Sequence, residues 1–193
     1  MEHLATKKKI VRFIFRKEIF PLIFIYLFIL IPLTLTLIFV GIKLDNLLKL
    51  PILFIFSFPF NFLFFFIFLT IGLIIVFWSY KYIVFQGEGS PCSYFGHTKK
   101  LVKNGPYALV RHPSIIGKFL GVLGLGILFR SFSFTFIIAP ILLVGSLLDK
   151  VLREERILAK IFQKEYIDYK KRVPLIIPRI KNILNLFRKK CQK

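Results

Sequence analysis

The sequence predicts an all-α, polytopic membrane protein with about four transmembrane helices, the last two a helical hairpin, a cytoplasmic loop and a C-terminal amphipathic helix. Three observations carry that prediction. Hydrophobic residues make up 56% of the 193 positions, Phe alone occurs 25 times and the mean hydropathy is +0.74, more apolar surface than a soluble core of this size hides. Long uncharged apolar runs recur, and about 20 helical residues suffice to cross a hydrocarbon layer of roughly 30 Å. Lys and Arg gather beside these runs rather than in a separate basic domain.

The chain reads as a single membrane domain over residues 1–193. A basic leader, "MEHLATKKKIVRFIFRKE", precedes an uncharged run at 19–42, too long for a signal-peptide core and without a small-residue cleavage site, so it is a retained first span. The linker "KLDNLLKL" leads to a second run that begins at Pro51 and exceeds one bilayer, so Pro51 and Pro59 mark an approach and the span proper covers 60–80. Residues 81–112 are the long polar stretch, rich in Gly, Pro, Ser and Lys, and form the loop. Segments 113–129 and 132–148 make the hairpin around a tight "RS" connection, each a little short for a full crossing. Residues 150–173 form the amphipathic helix, with Val151, Leu158, Phe162, Tyr166 and Tyr169 at helical spacing on one side, ending at Val173-Pro174; 174–193 is a basic tail.

Charge orients the molecule. The leader, the central loop and the tail after residue 149 are rich in Lys and Arg, whereas the first linker and the "RS" turn are poor, which puts both termini and the loop in the cytoplasm. The net charge of +20 calls for an anionic partner. Because the basic residues flank apolar spans, that partner is anionic phospholipid headgroups and not nucleic acid. Cys92 and Cys191 lie far apart outside any paired motif, and no metal-ligand spacing occurs, so no metal is expected.

The polar chemistry concentrates in two places. "GPYALVRHP", residues 105–113, ends at Pro113, which suits the first turn of a helix, so Arg111 and His112 sit at its cap, where backbone N–H groups and the dipole favour an anion. Glu154 and Glu155 begin the amphipathic helix on the same side of the membrane. Each piece has an ordinary alternative: Arg111 as an interfacial anchor, His112 as a structural residue, the Glu pair as a solvated face. Gly117, Gly121 and Gly124 form a bare stripe that serves close helix packing or ligand approach.

"LVKNGPYALVRHPSIIG" (101–117), followed by "REERILAKIFQKEYIDYKKRVPLIIP" (153–178), resembles the paired signature of the isoprenylcysteine carboxyl methyltransferase and phospholipid methyltransferase superfamily. "GEGSP" (87–91) is similar to the loop preceding that signature in many prokaryotic members. The resemblance implies an S-adenosylmethionine site at the cytoplasmic face and a lipid or lipid-linked substrate. It assigns Gly105, Tyr107, Arg111, His112, Pro113, Glu154, Glu155, Tyr166 and Tyr169 to cofactor binding, with Arg111, His112 and Glu155 as catalytic residues. The family pattern has a Tyr two places after the Pro; this chain has Ile115.

Both signs of partner suit such a ligand. Arg111 or the helix amides serve a carboxylate, and Glu154 or Glu155 an ammonium or ribose. A carboxylate acceptor needs no general base, whereas an amine needs one, for which His112 or a Glu is the candidate. Two alternatives stand beside this expectation: a relative of NADPH-dependent membrane sterol reductases, and a non-enzymatic basic membrane adaptor that binds anionic lipid.

Overall fold

The structure, a computed structural model, describes residues 26–50, 57–89 and 98–179. The leader, the start of the first span, Pro51, Cys92 and Cys191 lie outside the described residues, as do the last two residues of "GEGSP". The chain divides into two units at Val40/Gly41. The first contributes a π-helical turn, Tyr26–Leu30, and most of the helix α1, Ile31–Leu47.

The second unit opens with the end of α1 and continues with α2 (Phe60–Phe85), α3 (Pro106–Leu109) and α4 (Pro113–Leu128). A π-helical turn at Phe134–Ile138 leads into α5 (Ala139–Asp149), and another at Lys150–Glu154 leads into α6 (Glu155–Arg172). The described residues contain helices and no strand. Among the described residues, three helical runs are long and apolar enough to cross a membrane, Phe28–Leu47, Phe60–Phe85 and Phe134–Arg172, and Pro113–Leu128 is a shorter apolar helix. The protein is therefore an all-α polytopic membrane protein.

Several boundaries differ from the sequence expectations for physical reasons. α1 runs through most of the expected linker, to Leu47, because "KLDNLL" contains no helix breaker. α2 continues past Tyr80 to Phe85 and stops just before Gly87, so the polar stretch begins later. No loop separates the hairpin from the amphipathic segment: the run from Phe134 to Arg172 passes from α5 through the π-helical turn at Lys150–Glu154 into α6, and the apolar part gives way to charge at Asp149.

α2 and α4 pack antiparallel over their length. At one end Asn61 Nδ2 donates to Leu128 O at 3.2 Å. Farther along, a Cβ on Gly124 would meet Phe65 and Phe68, and one on Gly117 would lie 2.5 Å from Gly72 O. Two helices approach this closely only where side chains are absent, so the glycine stripe serves helix packing. Gly121 differs, since nothing lies within 4 Å of a Cβ there.

The hairpin turn is tied down by a residue assigned to a linker. Asp45 accepts from the Ser131 hydroxyl at 2.6 Å and from the Ser133 N–H at 2.7 Å. It thus caps, from another helix, the N-terminus that starts the last helical run. Arg130, at φ 54°, makes the reversal, and Thr135 Oγ1 donates back to Ser131 O at 2.7 Å.

Gly117→Ala forces α2 and α4 apart and lowers the thermal midpoint by the equivalent of about 1–3 kcal/mol, whereas Gly121→Ala, with open space around its Cβ, keeps or raises it. Thermal denaturation of both variants in one detergent checks the contrast, and equal midpoints contradict this packing.

Candidate functional site

The site forms where the segment leading into α4 meets α6. Gly105 adopts φ 61°, and a Cβ there would collide with the Tyr82 ring, so glycine is needed for both the left-handed backbone and the close approach. It starts the single turn of α3, which buries Tyr107. Val110 is extended, and His112 is the residue before α4, with Pro113 at its first turn.

α6 is bent. Gln163 takes φ 43°, ψ −122°, far from helical values. Its consequence shows in the side chains that meet: Glu155 and Lys170 would be roughly 22 Å apart along a straight helix, yet Lys170 Nζ lies 2.9 Å from Glu155 Oε2. The chain therefore turns back at Gln163, and Leu158, Ala159 and Phe162 of one arm pack on Tyr166, Tyr169 and Val173 of the other. The apolar residues expected to share one face of a single amphipathic helix instead close two short arms on each other.

Glu155 is the centre of this arrangement, with its side chain 2% exposed. Arg111 Nη1 donates to its Oε1, and His112 Nε2 stands 3.1 Å from the same oxygen. Lys170 approaches Oε2. Burial opposes the charge on Glu155, but the hydrogen bonds to His112 and Lys170 and the charge of Arg111 prevail and hold its carboxyl down at about 2. Glu154, one residue earlier, pairs with Lys150 instead. Burial, reinforced by Glu155, pushes the Tyr166 hydroxyl well above the ordinary tyrosine range; Tyr107 and Tyr169 rise for the same first reason.

Backbone bonds fix the motif from behind. Arg111 N donates to Pro174 O at 2.9 Å and His112 N to Leu175 O at 3.3 Å. The two amides just ahead of α4 are thereby occupied and are not free to receive a ligand carboxylate. Tyr169 Oη donates to Tyr107 O at 2.8 Å, and Lys103 pairs with Glu165 at 2.7 Å. Val173, extended because Pro174 follows, presents the carbonyls of 174 and 175 to the motif.

Of the residues expected from sequence, Arg111, His112 and Glu155 meet directly, and Tyr166 is buried against Tyr169 on the far arm of α6. Tyr107 and Tyr169 support them through one hydrogen bond, Gly105 and Pro113 shape the backbone, and Glu154 stands next to Glu155 with its own lysine. Sequence reasoning did not single out Lys170, Tyr82 or the Pro174 and Leu175 carbonyls. A signal for Lys170 existed, because it lies one helical turn after Tyr166 on the same face.

Comparison with known proteins places much of the chain in a known family. The phospholipid methyltransferase family model matches residues 60–165, more than half of the chain. The chain is 40% identical over 81 residues to the cobalt-zinc-cadmium resistance protein CzcN of Cupriavidus metallidurans, covering 42% of this chain and 36% of that protein. It is 32% identical over 112 residues to the protein-S-isoprenylcysteine O-methyltransferase of Saccharomyces cerevisiae, covering 55% of this chain and 46% of the relative. The corresponding protein of Mus musculus is 35% identical over 86 residues, covering 45% and 30%. The matched segment spans less than half of each of these relatives. No solved structure matches significantly.

Glu155→Gln leaves Arg111 and Lys170 without their carboxylate and costs about 3–5 kcal/mol of stability at neutral pH. Because the Glu155 carboxyl is lowered from 4.5 to about 2, its contribution is complete above pH 4.5 and is lost as pH falls toward 2. Acid titration of folding therefore declines more steeply in the wild type than in Glu155→Gln over that window; parallel declines contradict the pairing. Gln163→Gly removes the side chain from a left-handed turn, relieving strain of about 1–3 kcal/mol, and keeps or raises the thermal midpoint while Gln163→Val lowers it. A fall in Gln163→Gly contradicts the bend.

Taken together, the motif geometry, the family match over residues 60–165 and the relatives show that the chain belongs to the phospholipid methyltransferase family, within the superfamily that includes the isoprenylcysteine methyltransferases.

Proposed function

We propose that the protein is an S-adenosylmethionine-dependent methyltransferase that acts on a membrane-embedded or lipid-linked acceptor at the cytoplasmic face. The observation that carries this reading is the convergence of Arg111, His112 and Lys170 on the buried Glu155 carboxylate at the charged end of apolar helices. Family membership favours a transferase over the reductase and adaptor alternatives.

The residues present fit the cofactor. Arg111 Nε is buried with no hydrogen-bond partner among the described residues, a donor left over for a ligand acceptor. Arg111, Lys170 and His112 supply positive or donating groups, and Glu154 and Glu155 supply acceptors for an ammonium or a ribose hydroxyl. Gly105, Tyr107, Pro113, Tyr166 and Tyr169 shape and support the surrounding wall. S-adenosylmethionine, when bound there, supplies a methyl group on a sulfonium that is already a good leaving centre.

The chain's own task is then to orient the acceptor in line and to exclude water. Glu155, held far below the usual carboxylate range, is a poor base and serves to fix Arg111 and His112. His112 Nε2 faces Glu155, which leaves Nδ1 as the ring nitrogen able to exchange a proton with an acceptor. A carboxylate acceptor uses no such exchange, whereas an amine acceptor does. The basic cytoplasmic segments hold anionic headgroups of the surrounding leaflet.

Transfer of labelled methyl from S-adenosylmethionine to a membrane lipid extract by nanodisc-reconstituted protein tests the reading. Wild-type protein labels a lipid fraction, and Arg111→Ala lowers the rate by about a hundredfold or more through lost orientation. Absence of label with well-folded protein that also fails to bind S-adenosylhomocysteine overturns it.

A further inference from the structure

The cations around Glu155 are of two kinds. Arg111 and His112 reach Oε1 from the motif and are 11% and 6% exposed, whereas Lys170 reaches Oε2 from the far arm of α6 and remains 50% exposed. Two fixed positive charges, on Arg111 and Lys170, thus face one carboxylate. The neighbouring charges close on themselves: Lys150 pairs with Glu154, Arg153 with Asp149 and Lys103 with Glu165. A surplus charge is costly where water is excluded, so it resides on the member that solvent reaches. On the inner side, Arg111 Nε is buried without a hydrogen-bond partner among the described residues, a further donor left over.

We propose that Lys170 is a specificity-determining residue at the rim of the site, where its ammonium takes an anionic group of the bound ligand, a carboxylate or a phosphate, while remaining close to Glu155. The assignment rests on the transferase reading above. An ammonium has three donors on a flexible stem, so one can stay on Glu155 Oε2 while another meets a second oxygen. Lys170 follows Tyr166 by one turn and lies beyond residue 165, where the family match ends, so it belongs to the C-terminal arm that the bend at Gln163 folds back onto the motif. Two sources carry the required anion: the amino-acid carboxylate of the cofactor and the headgroup or terminal carboxylate of the acceptor.

Calorimetric titration of nanodisc-embedded wild type, Lys170→Gln and Lys170→Arg with two ligand pairs separates these sources. The first pair is S-adenosylhomocysteine and methylthioadenosine, which lacks the amino-acid group. The second is an S-prenylated N-acetylcysteine and its carboxamide. In Lys170→Gln the anionic member of one pair weakens by about tenfold while its neutral member is unchanged, as expected for one lost charge-assisted hydrogen bond, and Lys170→Arg restores most of it. Whichever pair responds identifies the source. Unchanged affinities in both pairs, or equal weakening of anionic and neutral members, overturn the role of Lys170 and reduce it to support of Glu155. Wild-type protein that binds none of the four overturns the transferase reading itself, a result distinct from a Lys170 variant that behaves as wild type.

Discussion

A single buried carboxylate organises the charged end of this molecule's apolar helices. Glu155 can be charged in an environment that is 2% exposed only because Arg111, His112 and Lys170 converge on it, and these groups come from separate parts of the chain. Removing water from a charge makes each partner compulsory, since an uncompensated ion costs far more than any one contact returns. Arg111 and His112 are brought in by the turn that starts α4, and Lys170 by the return of α6 at Gln163. The Pro174 and Leu175 carbonyls then hold the Arg111 and His112 amides, so the orientation of the motif depends on chain that follows the last helix.

The rest of the fold sets the depth at which this happens. α2 and α4 lie backbone to backbone through Gly72 and Gly117, which fixes where Pro113 and the motif emerge relative to Tyr82 and Gly105. At the other end, Asp45 and Asn61 attach to the hairpin turn and to the end of α4. Polar bonds at both ends and bare glycine contact between them leave little freedom for α4 to slide, so a site built on its first turn stays in register with α6.

Much of this was legible in the sequence. The apolar runs, the proline at the start of α4 and the separation of basic from uncharged segments give the spans, and the two motifs give Arg111, His112 and Glu155 as neighbours. What was not legible came from backbone geometry that composition hides. Gln163 sits in an unbroken helical pattern with no glycine or proline to announce a turn, so α6 read as one amphipathic helix and Lys170 as one more exposed cation. Asp45 looked like a linker residue because its partners, Ser131 and Ser133, lie more than eighty residues away. The use of Arg111 and His112 amides by the C-terminal strap was invisible for the same reason: an extended partner leaves no periodic mark.

The central claim is that the Glu155 cluster joins the motif before α4 and the far arm of α6 into one unit. Hydrogen exchange in nanodiscs, comparing wild type with Glu155→Ala, tests it most directly. The account predicts that peptides covering residues 106–112 and 164–175 lose protection together in the variant while α2 keeps its own. Protection that persists in both peptides, or is lost in only one, contradicts it.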